Sequence, residues 1–167
     1  KFDHKDVRDV LERASARETA ARVAAGAFAQ VLLQALGIEV ASHVVAIGAV
    51  SSKLKGQEVA DLSLPELEQK ARQSEVFCAD PAASAAMKDA IKGALMSGDS
   101  LGGQVEVLAD NLPVGLGSFS QWDRRLDGQL AQALMSIQAM KAVEIGEGIS
   151  DSQQPGSKVH DPIYPRD

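Results

Sequence analysis

The sequence predicts a mixed α and β fold in which strands are separated by helical runs, and three observations predict it. An almost wholly apolar helical run, Ala16 to Leu36, leads into a β-branched segment, Ile38 to Ile47. Strand-like patterning returns at Gln104 to Ala109 and at Lys141 to Ile145. Helix signals lie between the strands, at Asp80-Pro81 and in the stretch that follows Trp122. The resulting order is α-β-α-α-β-α-β. Connections of about ten to twenty residues permit either a parallel α/β sheet or a split β-α-β arrangement with an antiparallel sheet.

Each element has a local reason. In the first helix Ala20, Val23, Ala24, Ala27, Phe28, Val31, Leu32 and Ala35 recur at three- and four-residue steps, with further alanines on the sides. A helix apolar on most faces is expected to lie between layers, and its alanines and Gly26 suit close packing. Gly37 is placed to end it as a C-terminal cap. The strand that follows is expected to be covered on both faces, with His43 as a packed or surface residue within it.

Residues 51–75 form a polar stretch, read as a surface insertion, in which Ser63 or Leu64 before Pro65 marks a short surface helix. Asp80 and Pro81 are a capping aspartate and a first-turn proline for a helix running to about Met96. Gly98-Asp-Ser-Leu-Gly-Gly103 breaks it; because a strand rather than a helix follows, a plain turn is the better reading than a phosphate cradle. Leu112 to Gly117 is a glycine-rich connection. A fourth helix then carries Leu126, Leu130, Ala133, Leu134 and Ile137 on one face. Asp123, Arg124, Arg125 and Asp127 are read as surface partners of one another. The last strand ends at Gly146, and residues 150–167 read as a loop or tail.

Composition narrows the function classes. The 167 residues are 45% hydrophobic and 24% charged, which suits one domain with a core, and the formal charge of −6 without a basic run argues against nucleic-acid partners. No apolar run reaches the roughly 20 residues that cross a bilayer. The single cysteine, Cys78, excludes an internal disulfide framework and a cysteine-based zinc site, and three histidines show no metal cluster. With no visible signal peptide, the cytoplasm is the expected compartment. Lys1 in place of a start methionine and the loop-like Asp-Pro-Ile-Tyr-Pro-Arg-Asp167 suggest a piece of a longer protein.

The chemistry concentrates at the start of the first helix. Ser15 followed three residues later by Glu18 is a capping box, which fixes the helix start at Ser15. The free N–H groups and positive dipole end there favour an anion, and Arg13 and Arg17 add charge-assisted donors on either side, although on the local pattern alone a plain structural cap with solvated arginines is the better reading.

The segment Glu12 to Phe28 resembles the signature of the chorismate synthase family around its serine-alanine-arginine core. Gly37-Ile-Glu-Val40, Ser42-His-Val44, Gly98 to Gly103, Pro113-Val-Gly-Leu-Gly117, Trp122 to Asp127, Ala133-Leu-Met-Ser-Ile137 and Val143-Glu-Ile-Gly146 are similar to successive motifs of the same family, in the right order. Ala142 stands where the family often has glycine. The resemblance implies an α+β fold, a β-α-β sandwich with helices packed between antiparallel sheets, of which residues 1–149 are the central part of a single domain. It implies a lyase that converts 5-enolpyruvylshikimate 3-phosphate to chorismate and phosphate by 1,4-anti elimination with reduced FMN, as a homotetramer, in aromatic amino acid biosynthesis. Carried over by position, Arg13, Ala14, Ser15, Gln138 and Ala139 contact FMN, and Arg17 holds the substrate's anionic groups. The family's histidine motifs and its arginine-aspartate motif are not in this chain, so no catalytic residue is assigned and the segment alone is expected to be inactive. A noncatalytic binding or assembly module derived from the family is the alternative.

Overall fold

The computed structural model describes residues 3–14, 16–59 and 61–160, without the side chains of Glu12, Arg13, Ala16, Gln57 and Glu58. The chain divides into two compact units, Ala21–Val114 and a second made of Lys1–Ala20 with Gly115–Asp167. Helix α1 spans Arg8–Ala14 and helix α2 spans Ala16–Ala35. Strand β1 (Glu39–Ile47), strand β2 (Val50–Ser51), helix α3 (Leu64–Arg72), helix α4 (Pro81–Ser97) and strand β3 (Gly103–Asp110) follow. Helix α5 (Leu126–Met135), the single turns α6 (Gly148–Asp151) and α7 (Gly156–Val159), and short 3₁₀ turns at Gly56–Val59 and Trp122–Arg124 complete the described elements. The fold is α+β with an antiparallel three-stranded sheet in the order β2-β1-β3, which resolves the choice between parallel and antiparallel arrangements.

In the Ala21–Val114 unit, α2 ends at Gly37 (φ 77°), where Ile38 N–H donates to Leu33 O at 2.9 Å and Gly37 N–H to Gln34 O at 3.0 Å. This paired closure satisfies carbonyls that a helix end otherwise leaves open. The chain then enters β1. Gly48 (φ 58°) begins the two-residue loop between Ile47 and its register partner Val50, the conformation that suits a tight hairpin.

Both faces of β1 are covered, as its composition predicts. One face meets α3: Ala41 joins Leu67, Ala71, Val59, Leu64 and Ala79 in a core to which Leu108 of β3 also packs. The other face meets α4, where Val44 and Ile47 lie against Cys78, Ala83 and Met87. Alternating burial breaks at Val45 and Ala46, which are both buried, because the register with β3 shifts between Val44 and Ala46. A bulge of this kind places consecutive side chains on one face. Cys78 is a buried free thiol packed with Ala83 and Met87, and its Sγ lies 3.6 Å from Asp80 O.

Helix α3 gives residues 51–75 an inner face that belongs to the core. Leu67 and Ala71 are fully buried, and a core helix rather than a decorative one results. Its outer face is polar, with a Glu68–Arg72 ion pair one turn apart. Glu66 reaches back to Ser63, accepting from the Ser63 N–H at 3.1 Å and from its hydroxyl at 2.7 Å. Asp80 caps α4 as expected, accepting from Ala82 N–H at 2.9 Å and Ala83 N–H at 3.2 Å. Its second oxygen accepts from Lys53 N–H at 3.2 Å, which ties the segment after β2 to the helix start.

Two other expectations fail for one reason, the lack of a covering or pairing partner among the described residues. The side chains of Val23, Phe28, Val31 and Leu32 in α2, and of Leu36 just after it, are exposed rather than held between layers. Val105 and Val107 leave the outer face of β3 similarly open. Lys141 to Ile145 is irregular, since its β-type pattern has no ladder partner there. The stretch read as a tail instead contains α6 and α7 up to residue 160, and residues 161–167 lie outside the described ones.

Two stability predictions follow from this packing. Truncation by Leu67→Ala is expected to cost about 2–5 kcal/mol in urea denaturation, since a fully buried side chain leaves a cavity. Burial pushes the Asp80 carboxyl up, but the amides of Lys53, Ala83 and Ala82 together outweigh it and hold the group below its ordinary 3.8. A lowered folded value means that Asp80 stabilises above the unfolded value and loses this effect as pH falls through the lowered one. Asp80→Ala is therefore expected to cost about 1 kcal/mol at neutral pH, with the gap to the parent closing in acid.

Candidate functional site

The expected site residues that are described, Arg13, Ala14, Arg17, Gln138 and Ala139, fall in the unit made of Lys1–Ala20 and Gly115–Asp167, although the sequence separates them widely. The first group straddles the join of α1 and α2. Helix α1 is a correction to the sequence reading, which began the helical region at Ser15. Its signal was present: Val7, Val10, Leu11 and Ala14 recur at helical spacing, and Asp6 accepts from the Arg8 N–H at 2.9 Å in front of them. The Arg8 guanidinium pairs with the same carboxylate, holding Asp6 below and Arg8 above their ordinary values.

Arg13 and Ala14 therefore occupy the last turn of α1, and Arg17 lies in the first turn of α2. Ser15 lies outside the described residues, and the capping box expected of it with Glu18 lies there too. Helix on both sides of this residue changes the local electrostatics. Arg13 sits at the negative end of α1, where a cation is favourable, while the positive end of α2 begins beside exposed Arg17. Ala14 is exposed as well.

The second group follows α5. Its C-terminal turn tightens, with Ser136 N–H donating to Gln132 O at 3.0 Å and Ile137 N–H to Leu134 O at 3.1 Å. Met140 N–H then donates to Ile137 O at 3.3 Å, closing a turn whose central residues are Gln138 and Ala139. Ala139 adopts φ 67° while Gln138 does not share a positive φ, which is the pattern of a type II turn. A side chain at that second central position is strained, and both residues are exposed. Gln138 lies just past the end of α5.

Gly117 has a packing reason to be glycine. Its φ is 82°, and a Cβ there would meet Leu126 Cβ at 2.9 Å. Nearby, Arg125 and Asp127 pair at the surface, and Asp127 accepts from Gly128 N–H at 2.7 Å. Those contacts hold Asp127 below its ordinary value and agree with a surface pairing of these charges. In the Ala21–Val114 unit, cavities of about 450 and 350 Å³ are lined respectively by residues around Ile91 and Leu101 and by residues around Gln30 and Phe77. None of the expected site residues lines either one. Among the described residues no group of three or more His, Cys, Asp and Glu is placed to hold a metal ion, and no helix is long and apolar enough to cross a membrane.

The family profile described as chorismate synthase matches residues 1–167. The chain belongs to the chorismate synthase family. It is 57% identical over 163 residues to a chorismate synthase of Moorella thermoacetica and 50% identical over 163 residues to chorismate synthase 2 of Bacillus cereus, covering 98% of this chain in each case. The chain spans 41% of the length of those relatives. A solved structure titled "Crystal Structure of Chorismate Synthase" superposes with a TM-score of 0.89 at 46% identity, over 98% of this chain and 50% of that one. The α+β architecture is thus that of part of a chorismate synthase domain. In a partial domain an apolar helix such as α2 lacks some of its packing layers.

The strained turn gives a direct test. Ala139→Gly removes the Cβ penalty at φ 67° but adds unfolded-state freedom, so stability is expected to hold or to rise by up to about 1 kcal/mol in urea denaturation. A loss greater than that would show that the turn is not strained as described.

Proposed function

We propose that this chain is a segment of a flavin-dependent lyase that converts 5-enolpyruvylshikimate 3-phosphate to chorismate and phosphate, and that Arg13, Ala14, Ser15, Gln138 and Ala139 hold reduced FMN while Arg17 binds the substrate. The observation that carries the reading is the presence of both groups in one compact unit of a chain that belongs to the chorismate synthase family. The residues suit the ligands. FMN and the substrate both carry phosphate, and a guanidinium supplies paired donors to phosphate or carboxylate oxygens. The exposed turn at Gln138 and Ala139 offers an amide side chain and backbone groups to a polar ring edge.

When bound, the reduced flavin supplies transient electron density to a reaction with no net redox change. The residues of this chain contribute binding and orientation. Arg17, at the positive end of α2, holds an anionic group of the substrate and offsets charge that grows on departing phosphate. Arg13 neutralises anionic charge on the cofactor side of the same join. No proton-transferring side chain is assigned here, so the segment by itself is inactive. The complete enzyme is a homotetramer of the cytoplasm, serving aromatic amino acid biosynthesis.

The protein that contains this chain is expected to release phosphate from 5-enolpyruvylshikimate 3-phosphate only with reduced FMN, whereas residues 1–167 alone give no turnover. Release without flavin, or none with it, would remove the lyase reading and leave a noncatalytic module derived from the family. In the same protein Arg17→Ala is expected to weaken substrate binding about 10- to 100-fold in a direct titration, the loss typical of a hydrogen bond to a charged group. Unchanged affinity would take Arg17 out of the site.

A further inference from the structure

We propose that His43 and Glu106 form a latch that holds the middle of the polar connection Ser52 to Val59 on the sheet, with the His43 ring hydrogen carried on Nε2. The two residues are direct register partners on β1 and β3. The His43 side chain is fully buried, and its Nε2 lies 3.1 Å from Glu106 Oε2. The other carboxylate oxygen, Oε1, accepts from the Gly56 N–H at 2.7 Å. One side chain thereby joins two strands to a segment 50 residues away in sequence.

The tautomer follows from donor and acceptor counting. An ionised carboxylate only accepts, so the ring nitrogen that faces it must donate. His43 Nδ1 is buried with no hydrogen-bond partner, and a hydrogen there would be an unsatisfied buried donor. The ends of the connection have other anchors: Ser52 N–H donates to the bulged Val45 O at 2.7 Å, Lys53 N–H donates to Asp80, Leu54 packs against the core, and Val59 is buried in it. Glu106 adds the polar hold at Gly56 between Leu54 and Val59, and a charge-assisted bond to Gly56 is stronger than the neutral one that a Gln would make.

The latch is tested by amide hydrogen exchange and by nitrogen NMR of the His43 ring in the whole chain. Glu106→Ala is expected to speed exchange at Gly56 and its neighbours about tenfold or more while the β1–β3 ladder stays protected. Glu106→Gln keeps an oxygen for Gly56 but turns its amide toward His43, so the ring hydrogen is expected to move to Nδ1, with a rise in exchange at Gly56 smaller than that in Glu106→Ala. A parent ring with its hydrogen on Nδ1, a Glu106→Gln ring still protonated on Nε2 alone, or unchanged Gly56 exchange in Glu106→Ala would each overturn the latch. Equal loss of protection across the whole ladder in Glu106→Ala would reassign Glu106 to general stability.

Discussion

The contact of Leu67 and Ala71 with Ala41 is the interaction on which the Ala21–Val114 unit depends. It closes one face of β1 with side chains that are wholly out of water. Once that face is closed, every polar group on it needs an internal partner. His43 lies two residues from Ala41 on the same face, and the register with β3 supplies Glu106 opposite it. The bulge at Val45 then turns the end of the strand so that Val45 and Ala46 are buried together and Ile47 faces Met87. The opposite face is closed by α4, whose start is fixed by Asp80. A chain with few aromatics builds its core from small and branched residues set close together, and this geometry leaves little tolerance for lost volume.

Elements with strong local signals were legible in the sequence. Asp80-Pro81 and Gly98 bound α4 because a cap, a first-turn proline and a left-handed glycine act within a few residues. The β-branched run before Ile47 became β1, and Gln104 to Ala109 became β3, because their strand patterning found a pairing partner in each other. What was missed depended on partners distant in sequence. The polar composition around α3 masked three inward positions, Leu64, Leu67 and Ala71, whose spacing marks a core face. Lys141 to Ile145 has strand propensity, yet a strand exists only where another strand pairs with it. Helix α1 was overlooked although its apolar spacing and Asp6 were in view.

The candidate site was legible in a different sense. Arginines around a helix start define an anion site in general terms, and such a pattern does not distinguish one phosphate from another. The ordered motifs from Glu12 to Gly146 supplied the specific reading, and the match over residues 1–167 established the family. Structure sharpened the local picture by replacing one helix start with a join between two helices. At that join an arginine at the end of α1 and another at the beginning of α2 experience opposite dipole ends. It also showed that Gln138 and Ala139 form the centre of a turn with one strained residue, a conformation that presents both to solvent.

The central functional claim is that both segments of this unit meet the ligands. An experimental structure of the protein containing this chain, with FMN and 5-enolpyruvylshikimate 3-phosphate bound, tests it most directly. The account predicts FMN in contact with Arg13, Ala14, Ser15, Gln138 and Ala139, and a phosphate or carboxylate of the substrate within hydrogen-bond distance of Arg17. Ligands bound away from both the α1–α2 join and the Gln138–Ala139 turn would contradict it.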